Sequence, residues 1–149
     1  MGVRKQPSAF RAVNINTEQS VGPADFTLIA YPNVIYDLNE EYDNDPNFPN
    51  TFIPKQDGIY LIIASMSFVP GPDATNYSCR MLIAINEEDT AAADNDFFGV
   101  DVQVTNLVSV SSVTNLSKGD RVFIFGQATT DGNTLPEPSF MHFEAIKLL

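Results

Sequence analysis

The hydrophobic and polar positions of this chain fall into short runs too brief and too β-branched for helices. The runs Ser8 to Ile15, Phe26 to Tyr31, Asn33 to Leu38, Gly58 to Phe68, Tyr77 to Glu88, Gly99 to Leu116, Arg121 to Thr129 and Ser139 to Leu149 are rich in Val, Ile, Phe, Tyr and Thr. They predict strands. The stretches between them, such as "GPAD", "NDPNFPN", "VPGPDATN", "SKGD" and "TTDGNTLPEP", carry turn residues that interrupt regular structure. Only Glu87 to Asp96 has helix-compatible residues, and it is too short and acidic to hold a helix alone. Strands with no helical pattern to cover a parallel sheet predict an all-β, antiparallel sandwich or barrel. Its compact domain is expected to span residues 8–149, behind a flexible N-terminal arm at 1–7.

One strand breaks the rule for a half-buried sheet. Side chains alternate between faces, so Ile59, Leu61 and Ile63 project to one side of Gly58 to Phe68, and Tyr60, Ile62, Ala64, Met66 and Phe68 to the other. Both rows are apolar, where a two-layer sandwich needs one core row and one wet row. Arg121 to Thr129 repeats the pattern, with Val122 and Ile124 opposed to Phe123 and Phe125. The closing strand is mixed: Met141, Phe143 and Ala145 share one side, while Ile146 and Leu148 share the other with His142 and Glu144. A loop, a helix layer or another copy of the chain could cover a second apolar face. No helix layer is predicted. Each large apolar side chain covered is worth about 1.5–3 kcal/mol, which favours self-association.

Composition narrows the partners. The chain has 149 residues, 44% hydrophobic and 18% charged, and no run long enough to span a bilayer as a helix. Its 19 acidic residues against 8 basic ones give a net charge of −11, which repels a phosphate backbone and argues against nucleic acid. An acidic surface favours solubility and leaves calcium as a possible ligand. The single cysteine, Cys79, makes no internal disulfide and reads as a core residue. No export signal is evident at the N-terminus.

The chemistry of a catalytic site is missing. The sequence has no phosphate-binding glycine loop, no nucleophile elbow and no zinc-protease motif, and its one histidine, His142, reads as structural rather than as a general base. Three copies of His142 on a symmetry axis could bind metal or sense pH. Asp43-Asn44-Asp45-Pro46-Asn47 opens like a calcium loop, but Phe48 replaces the required glycine and Pro54 the closing glutamate. Asp94-Asn95-Asp96 with Asp101, and Glu87-Glu88-Asp89, remain acidic turn clusters that could hold calcium, with solvated acids the simpler reading. Loop aromatics such as Phe48 and Tyr77 could stack on a sugar or protein ligand.

Several spaced motifs resemble the globular head of the complement C1q and tumour-necrosis-factor-like proteins. Ala9-Phe10 matches the family's opening, Val34-Ile35-Tyr36-Asp37 its V-x-F-D strand, and Tyr42-Asp43 the Tyr-Asp that follows. Phe52, Gly58 and Tyr60 reproduce F-x5-G-x-Y; Leu116, Gly119, Asp120 and Val122 reproduce L-x-x-G-D-x-V; Phe140 and Phe143 stand at the closing F-x-G-F. The resemblance implies a ten-stranded antiparallel jelly-roll sandwich that forms a homotrimer through an inner sheet holding the Tyr60 strand, the "RVFIF" strand and the last strand. On that basis Tyr60, Ile62, Phe123, Phe125 and Phe143 are expected at the trimer interface or in the inner-sheet core, with Tyr60 nearest the contact. It further implies a non-enzymatic head, extracellular or on a cell or spore surface, presenting loops 39–50, 69–77, 87–99 and 129–138 to a protein or glycan. A calcium-dependent carbohydrate-binding jelly roll is the alternative. Thr105 stands where some relatives have a calcium-ligating aspartate, so no metal is carried over.

Overall fold

The computed structural model describes residues 6–72, 76–87, 89–98 and 105–149. Among them there are strands, turns and bends but no helix, and hence no helix long and apolar enough to cross a membrane. The strands are β1 Ala9–Val13, β2 Ser20–Val21, β3 Thr27–Leu28, β4 Asn33–Asp37, β5 Gly58–Pro70, β6 Tyr77–Ile85, β7 Asp89–Phe98, β8 Asn106–Leu116, β9 Val122–Ala128, β10 Gly132–Asn133 and β11 His142–Lys147. All pairings are antiparallel. The predicted all-β, antiparallel jelly-roll architecture is what the chain adopts.

Two sheets face each other. The larger runs β2-β10-β5-β11-β1-β4, with β8 paired along the other edge of β5; the smaller runs β3-β9-β6-β7. Long β5 organises the larger sheet because all eleven positions from Gly58 to Phe68 pair with β8, while Tyr60 to Ser65 pair with β11. Two expectations are corrected here. The "RVFIF" strand, β9, does not join β5 and β11 but lies in the smaller sheet, where Val122 to Ala128 pair with Ile85 to Cys79 of β6. The acidic, alanine-rich stretch assigned to a presenting loop is largely strand β7, zipped along β6 with a register shift between Ile83 and Ala84. As an edge strand it needs only one covered face and one hydrogen-bonded flank, which alanine and aspartate tolerate.

Alternation decides the core. Tyr60, Ile62, Ala64, Met66 and Phe68 of β5 are fully buried, and meet Val122 and Ile124 of β9 and Cys79, Met81 and Ile83 of β6 from the facing sheet. An aromatic cluster fills one end. Phe10 stacks on Tyr42 at 4.7 Å and meets Phe143 edge-on at 5.0 Å, a geometry that adds specificity to burial. The buried hydroxyls are satisfied: Tyr31 donates to the Ser65 carbonyl and Tyr42 to the Tyr31 carbonyl, each at 2.9 Å. Burial pushes the Cys79 thiol up to about 12, which makes it an inert core group.

The second faces of β5 and β9 are covered by different means. On β9, Phe123 is buried and lines one groove with Phe48 and Pro49 of the chain's own loop. On β5, the far half of the outward face lies under residues 135–141: Ser65 donates to the Phe140 carbonyl at 2.6 Å and Ser67 to the Leu135 carbonyl at 2.7 Å. The near half, with Ile59, Leu61 and Ile63, is left half-covered.

Candidate functional site

The half-covered side of the larger sheet gathers apolar side chains from adjacent strands. Leu61 on β5 pairs with Val113 on β8 and with Ile146 on β11. Val113 is 62% exposed and Ile146 47%. Partners directly across a ladder point to the same face, so these three form one continuous apolar patch. It widens with Ile59 and Ile63, with exposed Leu148, and toward the β4 edge with exposed Tyr36, the ladder partner of Arg11. On β8 the cause is a change of pattern: Val108 and Val110 are buried with Ser109 and Ser111 outward, and Val113 then breaks the alternation by placing an apolar group outside.

A polar trio lies within this patch. Arg11 of β1 and Glu144 of β11 pair across the ladder and form an ion pair. His142 Nδ1 lies 3.2 Å from the other Glu144 oxygen, close enough for an ion pair but off line for a hydrogen bond, so a buried ring nitrogen lacks a hydrogen-bond partner. Burial is the largest influence on Glu144 and pushes its carboxyl up; the adjacent His142 and then Arg11 outweigh it, and the net shift is below the ordinary value. Ser65, across the ladder from His142, donates its hydroxyl to the Phe140 carbonyl, so this neighbour does not form a nucleophile-base pair with the histidine.

The residues expected at the trimer interface or in the inner-sheet core lie outside this patch. Tyr60, Ile62 and Phe143 are fully buried in the subunit's own core, and the Tyr60 hydroxyl donates to the Gln56 carbonyl at 2.9 Å. Phe123 and Phe125 sit on the outward side of the smaller sheet, 5.4 Å apart in a T-shaped pair. Tyr77 is buried against Phe68 rather than displayed on a loop. Leu61, Val113, Ile146 and Arg11 were not assigned a role, although the break in the β8 alternation was a readable signal for Val113. Among the described residues no group of three or more His, Cys, Asp or Glu converges to hold a metal. Glu88 and Asp101 of the acidic clusters lie outside the described residues.

The arrangement of strands matches solved structures along nearly its whole length. The globular domain of zebrafish complement 1qA superposes with a TM-score of 0.65 over 97% of this chain and 98% of that one, at 17% identity. Murine APRIL at pH 5.0 gives 0.66 over 96% and 100%, and the Eiger TNF of S. frugiperda 0.64 over 97% and 94%, each at 14% identity. The chain has the C1q/TNF-like jelly-roll fold. No family model and no curated protein matches it. Within this C1q/TNF-like fold, the Tyr60 strand and the closing strand share one sheet, as the sequence motifs implied, and β9 belongs to the opposite one.

Proposed function

We propose that the chain is a non-enzymatic binding module that assembles as a homotrimer through the outward face of its larger sheet and acts outside the cell or at a surface. The observation that carries this reading is the patch of Leu61, Val113 and Ile146 on three adjacent strands, beside half-covered Ile59 and Ile63. Covering each such side chain contributes about 1.5–3 kcal/mol before the cost of association, so several together reward contact between copies. The resemblance to the C1q and tumour-necrosis-factor-like heads supports a three-fold form for that contact. The contact row is the Leu61 row, because the Tyr60 row is already filled by the subunit's own core.

The function that follows is multivalent recognition of a protein or glycan by surfaces distant from the three-fold contact. Three weak sites held together bind more tightly than one, with no demand for a deep pocket. An array of surface proteins and glycans probed with wild type and with Val113→Asp tests it. Wild type should bind a specific class, and the dispersed variant should lose most of that signal at equal subunit concentration. Equal binding by both, or turnover of a bound glycan, would contradict the reading.

A further inference from the structure

The smaller sheet carries an aromatic row on the side away from the core. Phe125 lies between Phe26, at 6.4 Å, and Phe123, at 5.4 Å. Beyond Phe123, Phe48 stands on the neighbouring loop, and the two line one open groove of about 260 Å³ together with Phe125, Leu28 and Pro49. Among the described residues that line the groove, Glu87 carries the only charge, and Asn47 adds a neutral polar group.

The groove is built rather than incidental. Phe48 is carried on a loop pinned by side chains: Asp43 accepts from the Asn50 amide at 2.8 Å and Asp45 from the Asn47 amide at 2.9 Å. Glu87 follows Asn86 in a turn whose residues have φ of 75° and 55°, the left-handed region that side chains other than glycine enter only when held there. Asn86 is held by Arg121, accepting from its amide at 2.9 Å, and by Asp120, to which its own amide group donates at 3.0 Å.

The protein shows what this row attracts. Phenylalanine faces are electron-rich and draw cations. The Arg80 guanidinium lies over the Phe26 ring at 5.4 Å, and that of Arg121 over Phe48 at 4.6 Å. Both ends of the row thus carry a cation from the chain itself. The open stretch between them has ring surface and a carboxylate, and Arg121, at its Phe48 end, is the cation that reaches Glu87. Glu87 meets Arg121 at 3.7 Å with its side chain 68% exposed, a loose pair that water screens. The net charge of −11 adds a long-range field of the same sign.

We propose that this groove takes the basic side chain of a partner polypeptide, its aliphatic stem between Phe48, Phe123 and Phe125 and its charged head at Glu87. The site is on the opposite sheet from the face assigned to association, so it stands or falls independently of that reading, and its test needs one subunit only.

Saturation-transfer NMR on the whole chain tests it, with N-acetyl-lysine N-methylamide and its arginine counterpart as probes. The norleucine analogue supplies a similar stem without charge, and butylammonium a charge without peptide. A single side chain should bind with a Kd of about 1–10 mM. Either basic probe should exceed norleucine and butylammonium, with binding reduced about threefold to tenfold in Glu87→Gln and further in Phe48→Ala, both variants keeping the wild-type circular dichroism. Norleucine binding as well as the basic probes would mean an unselective apolar groove, and stronger butylammonium binding would mean a free-amine site. Either result, unchanged affinity in Glu87→Gln, or no transfer from any probe would overturn the proposal.

Discussion

Leu61 and Val113 face each other across β5 and β8 on the side of the sheet turned away from the core. With Val113 62% exposed, the pair gains little from its own subunit. A charge placed there should therefore spare the fold and prevent contact between copies. Val113→Asp is expected to change subunit stability by no more than about 0.5 kcal/mol while shifting the particle to single-chain mass. Thermal melts and sedimentation velocity on the same sample separate the two effects.

Phe143 belongs to the opposite case. It is fully buried, edge-on to Phe10 at 5.0 Å and to Tyr42 at 5.7 Å, and truncation leaves a cavity among rings that have little freedom to collapse. Phe143→Ala should cost about 3–5 kcal/mol, read from the shift of the urea midpoint at unchanged m-value.

The two faces of the larger sheet were both visible as apolar rows, and the alternation correctly grouped Leu61 with Ile63 and Tyr60 with Ile62. Which row would meet the core was not legible. That depends on the register of β5 with β11 and on residues 135–141 covering Ser65 and Ser67, contacts distant in sequence. The sheet assignment of β9 was likewise hidden: its outward Phe123 and Phe125 share a groove with Phe48, on a loop remote in sequence. β7 escaped notice because alanine and aspartate signal no strand, and only pairing with β6 makes them one. The overall architecture was legible because turn residues mark the loops and Phe10, Phe52, Tyr60 and Phe143, members of the recognised motifs, form one buried cluster.

Glu144 should leave a signature in acid. Its folded carboxyl lies below the ordinary value, so the folded state binds that proton less readily than the unfolded chain. The sign follows from linkage: the contribution is present above the unfolded value of about 4.5 and is lost as pH falls through the depressed folded one. Glu144→Gln removes this slope. Urea midpoints of wild type and variant should differ at pH 7 and converge as the pH falls below the depressed folded value; a constant difference would contradict the account.

Gly132 of β10 has no room for a side chain. A Cβ there would lie 2.4 Å from the Val69 carbonyl oxygen and 2.5 Å from the Phe68 ring. Since the carbonyl is backbone and the ring is packed in the core, neither yields easily, and Gly132→Ala should destabilise by about 1–3 kcal/mol. Differential scanning calorimetry would show the lowered Tm.

The most direct test of the association claim is the mass of the unmodified chain in solution, by sedimentation equilibrium at micromolar concentration. The account predicts a species of three times the 16.4 kDa subunit. A stable single-subunit mass, with Leu61, Val113 and Ile146 remaining open to water, would contradict it.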